Sequence, residues 1–190
     1  IIVIDDGSWD NTSKIVKLKG ITLLRHPINR GLGGALGTGL EYAKLHNADY
    51  CVTFDSDGQH DASDINKIIQ PLLASEADVV IGQRNINKMP LDRRILTIFS
   101  SLLTFLLFGI YCKDTQSGFR AFNKKAINSI KIRTQRMEVS SEFFSEIKKH
   151  KLRLTELAIR VIYTPYSRTK GQTNLNSLAI LLKLVLRLFR

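Results

Sequence analysis

Short apolar runs alternate along the first half of the chain with segments whose apolar positions recur at helical spacing. Ile1–Ile4, Ile21–Leu24, Tyr50–Phe54 and Asp78–Ile81 read as strands. Between them, "NTSKIVKLKG" reads as a short helix ended by Gly20, "GLGGALGTGLEYAKLH" as a glycine-rich turn and helix, and Ser63–Leu73 as another helix. This alternation predicts an α/β fold, with a mostly parallel sheet flanked by helices on both faces. Ligands of such sheets gather beyond the carboxyl ends of the strands. Asp5, Asp6, Asp55, Asp57 and Arg84 all follow predicted strand ends.

Two segments depart from the alternation. Ile95–Cys112 carries no charge and approaches the length of a membrane span. A crossing there would put "DTQSGFRAF" and all that follows on the opposite side from Asp55, with no second span to return the chain. Residues 91–112 are therefore expected to form an interfacial or core-packed helix. The final "LNSLAILLKLVLRLFR" sets Lys183, Arg187 and Arg190 on one face of an otherwise apolar helix. Residues 175–190 are expected to lie as an amphipathic helix on anionic lipid, or on a neighbouring subunit of a homo-oligomer.

Composition narrows the function classes. With 190 residues, 44% of them hydrophobic, the chain suits one domain with a sizeable core. A formal net charge of +11 suits nucleic acid, an anionic membrane surface or a phosphorylated substrate. The basic residues lack the interleaved aromatics of a single-strand binder, which argues against nucleic acid. Two cysteines in apolar surroundings make no disulfide framework and favour a reducing compartment. The start at "IIVID", without a preceding turn, leads us to expect that a piece at the N-terminus is missing.

The stretch "YCVTFDSDGQHD" runs a strand straight into Asp55 and Asp57, whose charges repel unless a cation sits between them. Gly58 permits a sharp turn and Gln59 offers a neutral oxygen, so the set suits Mg²⁺ or Mn²⁺ better than zinc. An Asp-rich turn bonding its own backbone amides is the alternative. "GLGGALGTG" invites a nicotinamide-dehydrogenase reading. However, His26–Arg30 separate it from the strand and Gly37 comes late for the G-x-G-x-x-G fingerprint.

Taken together and in order, "VIDDGSWDNTS", "NRGLGGALGTGLEYA", "FDSDGQH", "VVIGQR", "DTQSGFRAF" and "YSRTKGQTN" resemble the family 2 glycosyltransferases. More narrowly, they resemble the dolichyl-phosphate mannosyltransferase-like group, which acts on polyprenyl phosphates. The resemblance implies a GT-A type, Rossmann-like fold with interfacial apolar helices, making residues 1–190 one catalytic domain that lacks its N-terminal strand. It also implies a GDP- or UDP-linked sugar donor, a dolichyl or undecaprenyl phosphate acceptor, and action at the cytoplasmic face of a membrane. By position, Asp5 corresponds to a residue that reads the nucleotide base, with Asp6 shaping the turn beside it. Asp55, Asp57 and Gln59 correspond to metal ligands, with Asp55 also near the nucleotide. Arg84 and Arg168 correspond to basic residues beside phosphate, and Arg93 with Thr97 to the acceptor-phosphate site. Lys170 precedes Gly171, where the family has Ser-Lys after its glycine.

His60 is expected to stand behind the D-x-D or to face solvent. Asp114, Ser117 and Arg120 either support the site or merely form a buried turn, and Glu142 either faces the site or favours a helix start. The implied reaction is inverting single displacement. An ionised phosphate acceptor needs no base, whereas the alternative acceptor, a saccharide hydroxyl, needs a positioned carboxylate.

Overall fold

The computed structural model describes residues 1–135 and 139–162. Strand β1 (Ile2–Asp5) is followed by helix α1 (Thr12–Leu18), β2 (Thr22–Arg25), α2 (Gly31–Leu45) and β3 (Tyr50–Thr53). A 3-10 turn (Ala62–Asp64) leads into α3 (Ile65–Leu73) and β4 (Val79–Gln83). Then come α4 (Leu91–Phe108), β5 (Arg120–Asn123), α5 (Lys124–Ser129), α6 (Val139–Lys149) and β6 (Leu154–Ala158). The expected elements up to β4 fall within a residue or two of their places.

The sheet is mixed rather than mostly parallel, which corrects the expectation from the alternation. β1 and β2 pair in parallel, and a separate four-stranded sheet has the order β3-β5-β4-β6. Within it β4 and β6 are parallel, while β5 runs antiparallel to both neighbours. The register explains why. Arg120, the first residue of β5, faces Thr53, the last of β3, and Ile81, near the end of β4, so β5 begins at the carboxyl end of both. The chain reaches the carboxyl rim before it enters the sheet and must run back. Residues 113–119 thus lie on the rim where ligands are expected.

Side chains of β4 alternate between two covered faces. Val79 and Ile81 join Leu40, Phe122, Phe143, Phe144 and Ile147 beneath α2, α5 and α6. Val80 joins Ile68, Leu72, Phe119, Ala121 and Ile159 beneath α3. Helix α2 packs on both β1 and β3, linking the two sheets. Its glycines serve that packing: Gly34 N–H donates to the Gln135 carbonyl at 3.0 Å. A Cβ on Gly33 would lie 2.9 Å from the Thr134 carbonyl carbon. The glycine-rich stretch is thus helical from Gly31 onward and makes room for a crossing backbone segment.

Helix α4 buries Thr97, Ser100, Ser101 and Thr104 and exposes Ile95, Ile98, Phe99, Leu102, Phe105 and Leu106. Gly109 ends it with a left-handed φ of 69°. Among the described residues no helix is long and apolar enough to cross a membrane. The 175–190 segment lies outside the described residues.

Candidate active site

Strand β3 delivers Asp55 to the rim, and the turn before β5 receives it. Thr53 Oγ1 donates to the Gly118 carbonyl at 2.8 Å, fixing one to the other. The Asp55 carboxylate is half-exposed, with His60 Nε2 at 3.5 Å. The hydrogen bond from His60 is the main cause holding its pKa below the ordinary carboxylate value; burial opposes it, and the charges of His60, Arg120 and Arg84 assist. Asp57 is exposed, and its Oδ1 accepts the Gln59 amide at 3.0 Å across a turn that Gly58 allows with φ 76°. Gln59 is held in turn by its carbonyl, which accepts the Ile162 amide at 2.9 Å.

His60 is buried behind the D-x-D, between Phe54 and Phe119, whose ring centroids lie 5.7 and 5.2 Å away. This is the supporting place expected of it. Its Nδ1 has no hydrogen-bond partner among the described residues.

Arg84, just beyond β4, is gripped by Asp114. Its Nε and Nη2 donate to the two carboxylate oxygens at 2.7 and 2.8 Å, and its backbone amide adds a third bond at 3.1 Å. Such a fork is geometrically specific. Asp114 is fully buried, and its segment is tied down by Glu156 of β6. Glu156 accepts the amides of Lys113 at 2.9 Å and Asp114 at 3.1 Å, together with the Cys112 thiol at 3.3 Å. Burial, reinforced by Glu156, pushes the Cys112 thiol far up, so it is inert; both cysteines are free. Arg120 is buried over the Phe143 ring at 4.2 Å and donates to the carbonyls of Ser117 and Thr115. Burial pulls its pKa down to about 10, which still leaves it charged at neutral pH. Asp114, Gly118 and Arg120 therefore support the rim. Sequence reasoning left Asp114 and Arg120 undecided and passed over Gly118 and Glu156. Only the closeness of Gly118 to Phe119 and Arg120 in one motif hinted at a shared turn.

The other acidic strand end is built differently. Asp5 is buried; it accepts the Ser8 amide at 2.8 Å and the Ser13 hydroxyl, and Arg25 stands at 3.4 Å. Burial alone would raise its pKa, but these partners outweigh it and hold it at about 2. Asp6 accepts the Arg30 and Gly31 amides at 2.9 and 2.6 Å at the start of α2, and His26 Nδ1 at 2.6 Å. It therefore pins the turn between β2 and α2. Arg93 is half-buried on α4. Thr97 is buried with its hydroxyl donating to Met89 Sδ at 3.9 Å. Glu142 on α6 accepts the amides of Arg133 and Thr134, each within 3.0 Å, and the Thr134 hydroxyl at 2.7 Å, so it holds that segment in place. Arg168 and Lys170 lie outside the described residues. Asp55, Arg84, Asp114 and Arg120 thus form one cluster, while Asp5 and Asp6 organise the loops after β1.

Among the described residues, no three His, Cys, Asp or Glu side chains form a closed metal cage. Two carboxylates and an amide oxygen on an exposed turn instead suit a hard cation that also takes phosphate oxygens and water.

Residues 1–143 match the model of the family described as Glycosyl transferase family 2. A UDP-N-acetylglucosamine–dolichyl-phosphate N-acetylglucosaminyltransferase from Methanococcus voltae is 40% identical over 195 residues, covering 90% of this chain and 78% of the relative. A dolichyl-phosphate beta-glucosyltransferase from Dictyostelium discoideum is 30% identical over 150 residues, covering 68% of this chain and 44% of the relative. The fold resembles that of glucosyl-3-phosphoglycerate synthase from Mycobacterium tuberculosis, solved with Mn²⁺ and UDP-glucose. Their TM-score is 0.59 at 19% identity, over 96% of this chain and 67% of the synthase. That likeness bears out the GT-A-like α/β layering.

Proposed function

Since the chain belongs to glycosyl transferase family 2, we propose that it moves a sugar from a nucleoside diphosphate to a polyprenyl phosphate, with a divalent metal at Asp55, Asp57 and Gln59. The observation that carries this reading is that Asp55, after β3, and Arg84, after β4, both lie against the 114–118 segment. A carboxylate for a cation and an oriented guanidinium for a phosphate stand within electrostatic reach of each other.

The two transferase relatives support the acceptor. Their sugars differ, N-acetylglucosamine in one and glucose in the other, while both use dolichyl phosphate. The more similar of them favours a UDP-linked donor. Bound Mg²⁺ or Mn²⁺ would neutralise charge on the departing diphosphate. Arg84 contributes direction more than net charge, because Asp114 already balances it. The acceptor phosphate, with a second pKa of about 6, is largely ionised at neutral pH. Its oxygen bonds to the anomeric carbon as the bond to the diphosphate breaks, which inverts that carbon. Glu142, committed to the backbone of Arg133 and Thr134, is not free to act as the base that a hydroxyl acceptor needs. Arg93 and Thr97 are assigned to the acceptor phosphate, Asp5 and Asp6 to the nucleotide side, and Arg168 to the donor phosphates.

Helix α4 would bring the enzyme to its lipid. Its outward face is aliphatic and aromatic, while Thr97, Ser100, Ser101 and Thr104 face inward beside Leu103. That suits the interfacial region of the cytoplasmic leaflet.

The test supplies labelled UDP- and GDP-sugars, polyprenyl phosphate and Mn²⁺ or Mg²⁺. Label is expected in the chloroform phase and should be lost with a chelator or with Asp57→Asn. Label found only in water-soluble saccharide would overturn the acceptor assignment.

A further inference from the structure

The D-x-D carboxylates are prepared unequally. Asp57 stands in solvent with a bond to its own turn, whereas Asp55 rests against the backbone of residue 118. An ideal Cβ at Gly118 would lie 2.7 Å from both Cγ and Oδ1 of Asp55, and closer still to Oδ2. A side chain fits there only if that carboxylate moves. Gly118 is not among the residues with positive φ, so conformational freedom is not what requires a glycine at this position.

The surroundings keep this seat rigid. Thr53 Oγ1 holds the Gly118 carbonyl to β3, and buried Arg120 ties the Ser117 and Thr115 carbonyls. Thr115 Oγ1 and Gln116 Nε2 both bond Ser100 Oγ on α4, at 2.9 and 2.8 Å. On its other side Asp55 meets His60, itself fixed by Phe54 and Phe119.

We infer that Gly118 is a positioning residue: the missing side chain forms the seat that aims the Asp55 carboxylate at the metal. The inference rests on the reading of Asp55 as a metal ligand. A methyl group at 118 would meet the half-exposed carboxylate of Asp55, which has solvent to move into, rather than backbone. It would therefore swing the carboxylate away at little cost to the fold, and affinity and stability separate.

The test measures Mn²⁺ binding, from the loss of the free-ion paramagnetic resonance signal, together with thermal melting. The variants are Gly118→Ala, Asp55→Ala and the two combined. Gly118→Ala is expected to weaken Mn²⁺ binding about 10-fold or more, the scale on which residues behind metal ligands act, while melting close to wild type. In the Asp55→Ala background the same methyl should change neither binding nor melting, because its partner has gone. Should Gly118→Ala alone fail to fold, the double variant must fold. Wild-type affinity in Gly118→Ala overturns the inference, as does equal destabilisation in both backgrounds. Mn²⁺ binding that Asp55→Ala leaves intact overturns the metal reading instead, and the melting comparison then decides the seat alone.

Discussion

Asp5 and Asp78 are both buried carboxylates that accept several hydrogen bonds, so the fold requires them ionised. Asp78 takes the Arg153 amide at 2.8 Å, the Arg153 guanidinium, Asn123 and Lys125. Burial opposes ionisation, yet these partners win and leave both pKa values depressed. A depressed folded-state pKa contributes stability that is present above the unfolded value, near 4, and is lost as pH falls through the folded one. Thermal stability is therefore expected to drop steeply from about pH 4 to pH 2. Asp78→Asn should cost on the order of 2 kcal/mol at neutral pH and flatten that acid slope in melts across pH. Around Arg84 the fork matters more than the charge. Asp114→Asn should lower transfer about 10-fold or more, and Arg84→Lys should do the same, since an ammonium cannot satisfy two carboxylate oxygens at once. Steady-state kinetics of both variants check this. The acidic strand ends were plain from neighbouring residues, but the grip of Asp114 on Arg84 was not. The two are thirty positions apart, and nothing local marks one as the partner of the other.

Helix α2 shows how an element can mislead when read alone. Its glycines suggest a phosphate loop, but they lie inside a helix and admit the 132–135 backbone. Gly33→Ala is expected to destabilise the protein by about 1–3 kcal/mol through overpacking against Thr134. At Gly39 the nearest atom to an added Cβ is Ile4 Cγ1 at 3.8 Å. Gly39→Ala should therefore stabilise the helix by about 0.5–1 kcal/mol. Chemical denaturation of the pair distinguishes packing from propensity. Strands β1 to β4 were legible because each is an apolar run bounded by turn residues. Strand β5 was not, because Arg120 and Asn123 at its ends leave only Ala121 and Phe122 apolar within it. Its apolar signal is too short, and its antiparallel direction follows from where the chain arrives rather than from its composition.

At the scale of the molecule, the proposed membrane partner rests on the exposed apolar face of α4 and on the excess of basic residues. The apolar stripe is outward, and the hydroxyl face grips the turn that seats Asp55. The exposed apolar face of α4 and the Asp55 carboxylate are thus joined through residues 113–118. Binding to anionic vesicles is expected to weaken with salt. The double change Leu102→Glu with Phe105→Glu should reduce vesicle cosedimentation about 10-fold without lowering the melting temperature, both side chains being exposed. The most direct test of the central claim is a crystal structure of the protein soaked with Mn²⁺ and a uridine or guanosine diphosphate, with the metal located by its anomalous signal. The peak should lie against the carboxylates of Asp55 and Asp57 and bridge to the diphosphate. A peak elsewhere, or a diphosphate bound away from these two residues with no metal beside it, would contradict it.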